Sequence, residues 1–275
     1  MMQQNTGLDR NTIDKYYTKP NIVNQCISLF CEKINPHLND IIIEPSAGNG
    51  AFIEHIKLLS TQAMFYDIEP EHNEIIAQNY LTLVPPITSY KIHVIGNPPF
   101  GRQSSTAIKF IKKSALFCDT IAFILPKSFK KVSMQKSFPP QFHLVCETDL
   151  SFNAFTVGDK EHNVPCVFQI WEKRVEMRPA TVSIMPIGFK FVSRNETPHI
   201  SFRRVGINAG TIDTDHIDTK SEQSHYFIKF TNGKKLNHII EQLKKITYES
   251  ADNTVGPRSI SKQELIYKFN MIIGE

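Results

Sequence analysis

No run of about 18 consecutive apolar residues occurs in this 275-residue chain, so no segment reads as a membrane-spanning helix. Cysteine is sparse and scattered: Cys26, Cys31, Cys118, Cys146 and Cys166, with no CxxC pair. That spacing argues against a disulfide framework and against a zinc site, and it fits reduced thiols inside a cell. No metal is expected. The first 14 residues are polar and carry no apolar signal core, so a soluble, cytoplasmic chain is expected. The glycine pattern GxGxxG is missing, and so is a glycine loop ending in Lys-Ser or Lys-Thr. Both absences speak against a nicotinamide enzyme and against a nucleotide hydrolase.

What is present is an ordinary globular composition, 41% hydrophobic and 21% charged, with a net charge of only +4. Residues 1–14 read as a loose leader. A helix is expected after Pro20, with Ile22, Val23, Cys26, Ile27 and Phe30 on one side. Ile41–Ile43, Ala63–Tyr66, His93–Ile95 and Thr120–Leu125 read as buried strands, separated by helices at 52–59, 71–78 and 104–117. This alternation implies a mostly parallel sheet covered on both faces over residues 15–175. Phe142–Leu150 and Val164–Trp171 read as a closing antiparallel pair. Residues 176–275 change texture and read as a small α+β appendage. They include strand-like pieces at 180–185 and 199–205, a helix at 237–246, and a last helix capped by Ser261 with Glu264 three residues later.

Two motifs carry chemistry. Glu44-Pro45-Ser46-Ala47-Gly48-Asn49-Gly50 joins a strand to a helix, and its glycines allow tight turns and close approach of a ligand. The following helix N-terminus offers amide groups to a carboxylate. Asp67 ends the next strand, where an acid can accept hydrogen bonds from both ribose hydroxyls. The Asn79 amide can pair with an adenine edge and the Tyr80 ring can lie on it, although Asn79 alone also reads as a helix C-cap. Fifty-three residues after Glu44 comes Asn97-Pro98-Pro99-Phe100, directly behind an apolar strand. Glu44, Asp67 and Asn97 all follow strand ends and should meet on one rim.

The second motif suits a planar nitrogen. The lone pair of an exocyclic amino group is delocalised into its ring. Asn97 supplies a side-chain carbonyl and Pro98 a backbone carbonyl, and together they can accept both amino hydrogens and free that lone pair. Two prolines fix the backbone beforehand. Phe100 can stack on the ring.

These residues resemble those of the S-adenosylmethionine-dependent N6-adenine amino methyltransferases. Residues 44–52 are similar to that family's cofactor loop, and Tyr17-Thr18-Lys19-Pro20 to the upstream segment that meets the methionine end of the cofactor. Asp67-Ile68 resembles the ribose-binding strand end, and Asn97–Phe100 matches the catalytic tetrapeptide. Asn79 departs from the family's Asp: it keeps an acceptor but loses the charge. The motif order is gamma-like. The resemblance covers roughly residues 15–173 and implies a Rossmann-like class I methyltransferase fold with S-adenosylmethionine as cofactor. The substrate implied is adenine in nucleic acid, DNA ahead of RNA, and the base must be flipped out or single-stranded. Phe152 and Phe155 are candidates for a second aromatic wall, with core packing as the other reading.

Charge distribution adds a surface. Arg102, Lys109, Lys112, Lys113, Lys127, Lys130, Lys131 and Lys136 face one acid, Asp119, in the stretch just after the tetrapeptide. Arg102, Lys112 and Lys113 are the nearest candidates for a phosphate backbone. Three other readings stand beside DNA methylation: the same chemistry on RNA, methylation of a protein glutamine, and a non-catalytic binding module.

Overall fold

A computed structural model describes residues 15–158, 160–180, 182–231 and 236–274. The leader 1–14 lies outside them. Contacts divide the chain into two compact units, 1–180 and 181–275.

The first unit runs β1 (Tyr17–Thr18), α1 (Pro20–Ile34), β2 (Ile41–Glu44), α2 (Ile53–Leu59), β3 (Gln62–Asp67) and β4 (Ile76–Ala77). It continues with β5 (Ile92–Gly96), α3 (Ser105–Ser114), β6 (Thr120–Pro126), α4 (Val132–Gln135), β7 (Phe142–Asp149), β8 (Phe155–Val157), β9 (Lys160–His162) and β10 (Cys166–Lys173). Seven strands form one sheet in the order β4-β3-β2-β5-β6-β10-β7. The strands from β4 to β6 are parallel, and β10 runs antiparallel to both β6 and β7. Every residue of β2 and β6 is buried, as continuous apolar runs require in a sheet covered on both sides.

Side chains alternate across that sheet. On one face Ile41, Ile43, Val94, Ile121 and Phe123 pack with Ala107, Phe110 and Ile111 of α3. On the other, Phe30 of α1 meets His93 edge-on at 5.6 Å. Helix α1 buries the five apolar residues its spacing predicts, and Pro20 sits in its first turn. This is the Rossmann-like α/β class that the alternation implies. A separate three-stranded sheet, β1-β8-β9, ties the start of the domain to its far end.

Two expectations fail here. Residues 71–78 form no helix. Gln78 N–H donates to Asp67 O at 2.8 Å and Glu71 N–H to Gly48 O at 3.0 Å, and β4 pairs with β3 instead. Helix α3 starts at Ser105, because Gln103 and Ser104 hold left-handed backbone (φ 54° and 60°).

The second unit holds β11 (Phe189–Val192), β12 (Ile200–Arg203), β13 (Ile212–Asp213), β14 (His225–Phe230), α5 (Leu236–Leu243) and α6 (Lys262–Ile273). Its antiparallel sheet has the order β11-β14-β12-β13 and shares one core with both helices. Residues 182–185 are not a strand; Ile184 joins that core and its N–H donates to Gln263. Ser261 caps α6 by accepting the Glu264 N–H at 3.1 Å. Only half of the capping box forms, because the Glu264 carboxylate accepts from Ser250. Among the described residues no helix is long and apolar enough to cross a membrane. Cys26, Cys118 and Cys166 are buried and all five thiols are free.

Candidate active site

Four adjacent parallel strands, β4, β3, β2 and β5, end on the same rim. The loops that follow them line one cavity of about 300 Å³. Strand spacing near 4.8 Å makes that rim about 14 Å long. Asn79 follows β4, Asp67 ends β3, Ser46 and Gly48 follow β2, and Asn97 follows β5; all four loops contribute to the lining. Tyr16 and Tyr17 cover it from the N-terminal segment, and Phe110 of α3 joins from below the rim.

Asp67 fastens two loops at once. Its Oδ2 accepts the Gly48 N–H at 2.8 Å, and its Oδ1 accepts the Glu69 N–H at 2.8 Å. An ionised carboxylate has about four acceptor sites, so each oxygen keeps capacity for a ligand hydroxyl. At the mouth, Lys15 Nζ pairs with Glu69 at 2.8 Å and Glu71 at 3.1 Å. Tyr17 Oη donates to both Glu71 oxygens, at 2.7 and 2.8 Å. The bonds from Tyr17 and Lys15 hold the Glu71 carboxyl below its ordinary range, and Glu71 pushes the Tyr17 hydroxyl up.

The tetrapeptide loop is built around two glycines. At Gly96 (φ 151°) a Cβ would lie 3.2 Å from Glu44 Cγ, so the turn that delivers Asn97 needs a residue without one. At Gly101 (φ 66°) a Cβ would lie 2.2 Å from Thr106 Oγ1, where Phe100 O accepts the Thr106 and Ala107 N–H groups at the start of α3. Asn97 Nδ2 donates to Tyr16 O at 3.2 Å and Thr18 Oγ1 at 3.3 Å, and Ser46 Oγ donates to Asn97 O at 3.2 Å. The Tyr16 carbonyl can only accept, so the amide end that faces it is nitrogen and Oδ1 lies opposite.

A second, smaller cavity of about 20 Å³ adjoins the first; Tyr16, Asn97 and Pro99 belong to both, and Pro98 and Phe100 complete it. Asn97 therefore stands in the wall between a large pocket and a notch.

The other candidates fall as follows. Tyr17, Ser46, Gly48, Asp67, Ile68, Asn79 and Tyr80 line the large cavity. Thr18, Ala47, Asn49 and Gly50 do not; Thr18 and Ala47 are buried and Asn49 faces solvent. Glu44 does not reach the cavity either. It is 2% exposed beneath Gly96, and its Oε2 has no partner. Burial, with Asp67's charge nearby, pushes its carboxyl well above the ordinary range. Asn79 caps a short 3₁₀ turn at its N-terminal end, its Oδ1 accepting the Leu81 N–H at 3.0 Å. The Tyr80 ring stacks on Phe110 at 5.4 Å, and its hydroxyl meets Ser114 at 2.7 Å, so most of it is core.

Phe155 lines neither cavity. It is fully buried with its ring edge-on to Tyr16 at 6.1 Å, while Phe152 is 75% exposed. Lys113 Nζ is held by Leu83 O at 2.6 Å, and Lys127 and Lys130 pair with Asp149. Arg102, Lys109, Lys112 and Lys136 are exposed. The lining residues that escape the sequence reading include Tyr16, Thr106 and Phe110. The aromatic beside Tyr17 was the signal for the first; the helix phase of α3 was the signal for the others.

No family model matches the chain, and no curated protein matches it. Among solved structures it is similar to a Pyrococcus horikoshii protein provisionally assigned as an RNA methyltransferase. The TM-score is 0.49 and the identity 14%, over 60% of this chain and 91% of that one. It is also similar to the 23S rRNA methyltransferase ErmE, with TM-score 0.44 and 14% identity over 60% and 72% of the two chains. A third is a modification subunit assigned to a type I restriction enzyme of Vibrio vulnificus, with TM-score 0.43 and 14% identity over 60% and 46%. At such identities and scores the likeness adds nothing about activity or substrate, which rest on the site itself.

Proposed function

We propose that this protein transfers a methyl group from S-adenosylmethionine to the N6 amino group of an adenine in nucleic acid, with the base outside the stack. The sequence reading ranks DNA above RNA. The observation that carries the proposal is the position of Asn97 in the wall shared by a ligand-sized pocket and a notch, with its amide nitrogen tied back.

The large pocket suits the cofactor. Its volume falls at the lower end of the range for small-molecule sites. Asp67 offers a carboxylate with remaining lone pairs, Ile68, Leu81 and Phe110 offer apolar surface, and the loop at 46–48 brings backbone close. Asp67 would hold the ribose hydroxyls, and the 46–48 loop with Tyr17 would hold the amino-acid end. When bound, S-adenosylmethionine supplies a methyl group already activated on its sulfonium.

The chain's own task is then the acceptor nitrogen. Asn97 Oδ1 and the Pro98 carbonyl accept the two amino hydrogens and draw the nitrogen toward tetrahedral geometry; as an N–CH3 bond replaced the CH3–S bond, one of those hydrogens would leave to solvent as a proton. Tyr16 O and Thr18 Oγ1 hold that side-chain amide, and Ser46 Oγ holds the Asn97 backbone carbonyl, so the group does not have to reorganise during reaction. Phe100 packs on the base face.

Incubation with methyl-labelled cofactor and separate DNA, RNA and protein pools, followed by nucleoside analysis, tests the proposal. N6-methyladenosine or its deoxy form is expected. Asn97→Ala should lower transfer by at least about a hundredfold, as loss of one preorganised polar group does elsewhere, with cofactor binding retained. Label appearing in protein glutamine alone would sink the assignment.

A further inference from the structure

The notch beside Asn97 is bounded by five residues: four are the tetrapeptide itself, and the fifth is Tyr16. Its volume of about 20 Å³ admits little more than one water-sized group. An amino group fits there; the ring that carries it must lie outside, between whatever surfaces flank the opening. Phe100 supplies one of those surfaces. Phe152 and Phe155 line neither cavity, and Phe155 is fully buried.

We propose that Tyr16 is the second aromatic wall of the acceptor pocket and sets its preference for a planar base. This rests on the nucleobase reading above and adds a residue to it. Tyr16 is half-buried, and its ring meets two aromatic neighbours. Phe155 of β8 stands edge-on at 6.1 Å and His162 of β9 edge-on at 5.9 Å. Those two residues are cross-strand partners, so both neighbours are part of a sheet rather than a loose loop. A side chain held in this way loses little freedom when a base stacks on it.

The same residue acts on Asn97 through its backbone. Tyr16 O accepts the Asn97 Nδ2 hydrogen at 3.2 Å. One residue thus orients the catalytic amide with its carbonyl and, in this proposal, offers its ring to the acceptor. Side-chain replacement separates the two, since it leaves the carbonyl in place.

The test uses the full chain with the single-stranded DNA or RNA oligonucleotide pool that accepts label from the wild type. Tyr16→Leu removes the aromatic face and keeps apolar bulk. Its KM for the oligonucleotide should rise about tenfold, the scale of one lost base–aromatic stack. Tyr16 also lines the large cavity, so calorimetric affinity for S-adenosylhomocysteine should fall, but by a clearly smaller factor than the KM rises, and Tyr16→Phe should restore most of the KM. An unchanged KM in Tyr16→Leu overturns the proposal while leaving the methylation reading intact. So does an equal loss of S-adenosylhomocysteine affinity, which would make Tyr16 a cofactor wall. If the wild type labels no polynucleotide at all, the nucleobase reading fails and this wall fails with it.

Discussion

Asn97 Nδ2 lies 3.3 Å from Thr18 Oγ1, a hydrogen bond between residues 79 apart in the chain. Thr18 is buried and lines neither cavity, so it acts on the acceptor only through the amide it holds. Thr18→Val keeps the shape and removes the oxygen. Loss of about 1 kcal/mol of orientation predicts a roughly fivefold fall in kcat, with the cofactor affinity unchanged. Thr18→Ser should recover the rate. Steady-state kinetics with calorimetry on the three variants decides the matter, and an equal kcat in Thr18→Val would remove Thr18 from the catalytic support.

Asp67 holds backbone on two sides of the large pocket and is the proposed ribose anchor. Asp67→Ala should weaken S-adenosylhomocysteine binding by about tenfold or more, because a charged acceptor is lost and two loop amides lose their partner. Asp67→Asn, with one acceptor oxygen, should fall between the two. Identical calorimetric affinities would place the cofactor elsewhere.

Glu44 makes a pH prediction. Burial first, and Asp67's charge second, raise its carboxyl well above the ordinary 4.5. The folded chain keeps this proton at pH values where the unfolded chain has released it. Its contribution to stability is therefore full below about pH 4.5 and declines as pH climbs toward the raised value. Glu44→Gln removes that decline. The melting temperature of Glu44→Gln minus that of wild type should grow between pH 5 and pH 8, and a constant difference across that range would argue against a protonated Glu44.

The basic surface divides by contact. Arg102 and Lys112 are exposed, whereas Lys113 is bound to the Leu83 carbonyl. The double change Arg102→Glu with Lys112→Glu should reduce the slope of log affinity against log salt by about two for a polynucleotide. Lys113→Glu should instead lower thermal stability, since it loses a bond that ties α3 to the 80–83 turn. A slope unaffected by the double change would mean that nucleic acid docks elsewhere.

Local pattern told much about the sheet and less about the site. Continuous apolar runs announced β2, β5 and β6, and the strand ends at Asp67 and Asn97 located the rim. Residues 71–78 misled because Glu71, Glu74, Ala77 and Gln78 favour a helix in isolation. Pairing with β3 and the Gly48 carbonyl outweighs that weak local preference. Tyr16 was hidden for a different reason. Its place at the notch depends on β1 pairing with β8, which joins residues about 140 positions apart, and no local period reports such a contact. Glu44 differs in another way, lying outside the cavity lining. A motif position implied ligand contact, but the last residue of a strand has only two faces to choose from, and this one points into the packed interior.

The large cavity and the notch have three residues in common, Tyr16, Asn97 and Pro99. Whatever settles on one side of that partition touches the surface offered to the other. Any coupling between the two chambers must be reciprocal: if a donor analogue changes acceptor binding by some factor, the acceptor changes the analogue's binding by the same factor. Titrating a donor analogue with and without an acceptor oligonucleotide, and the reverse, should return one and the same coupling factor.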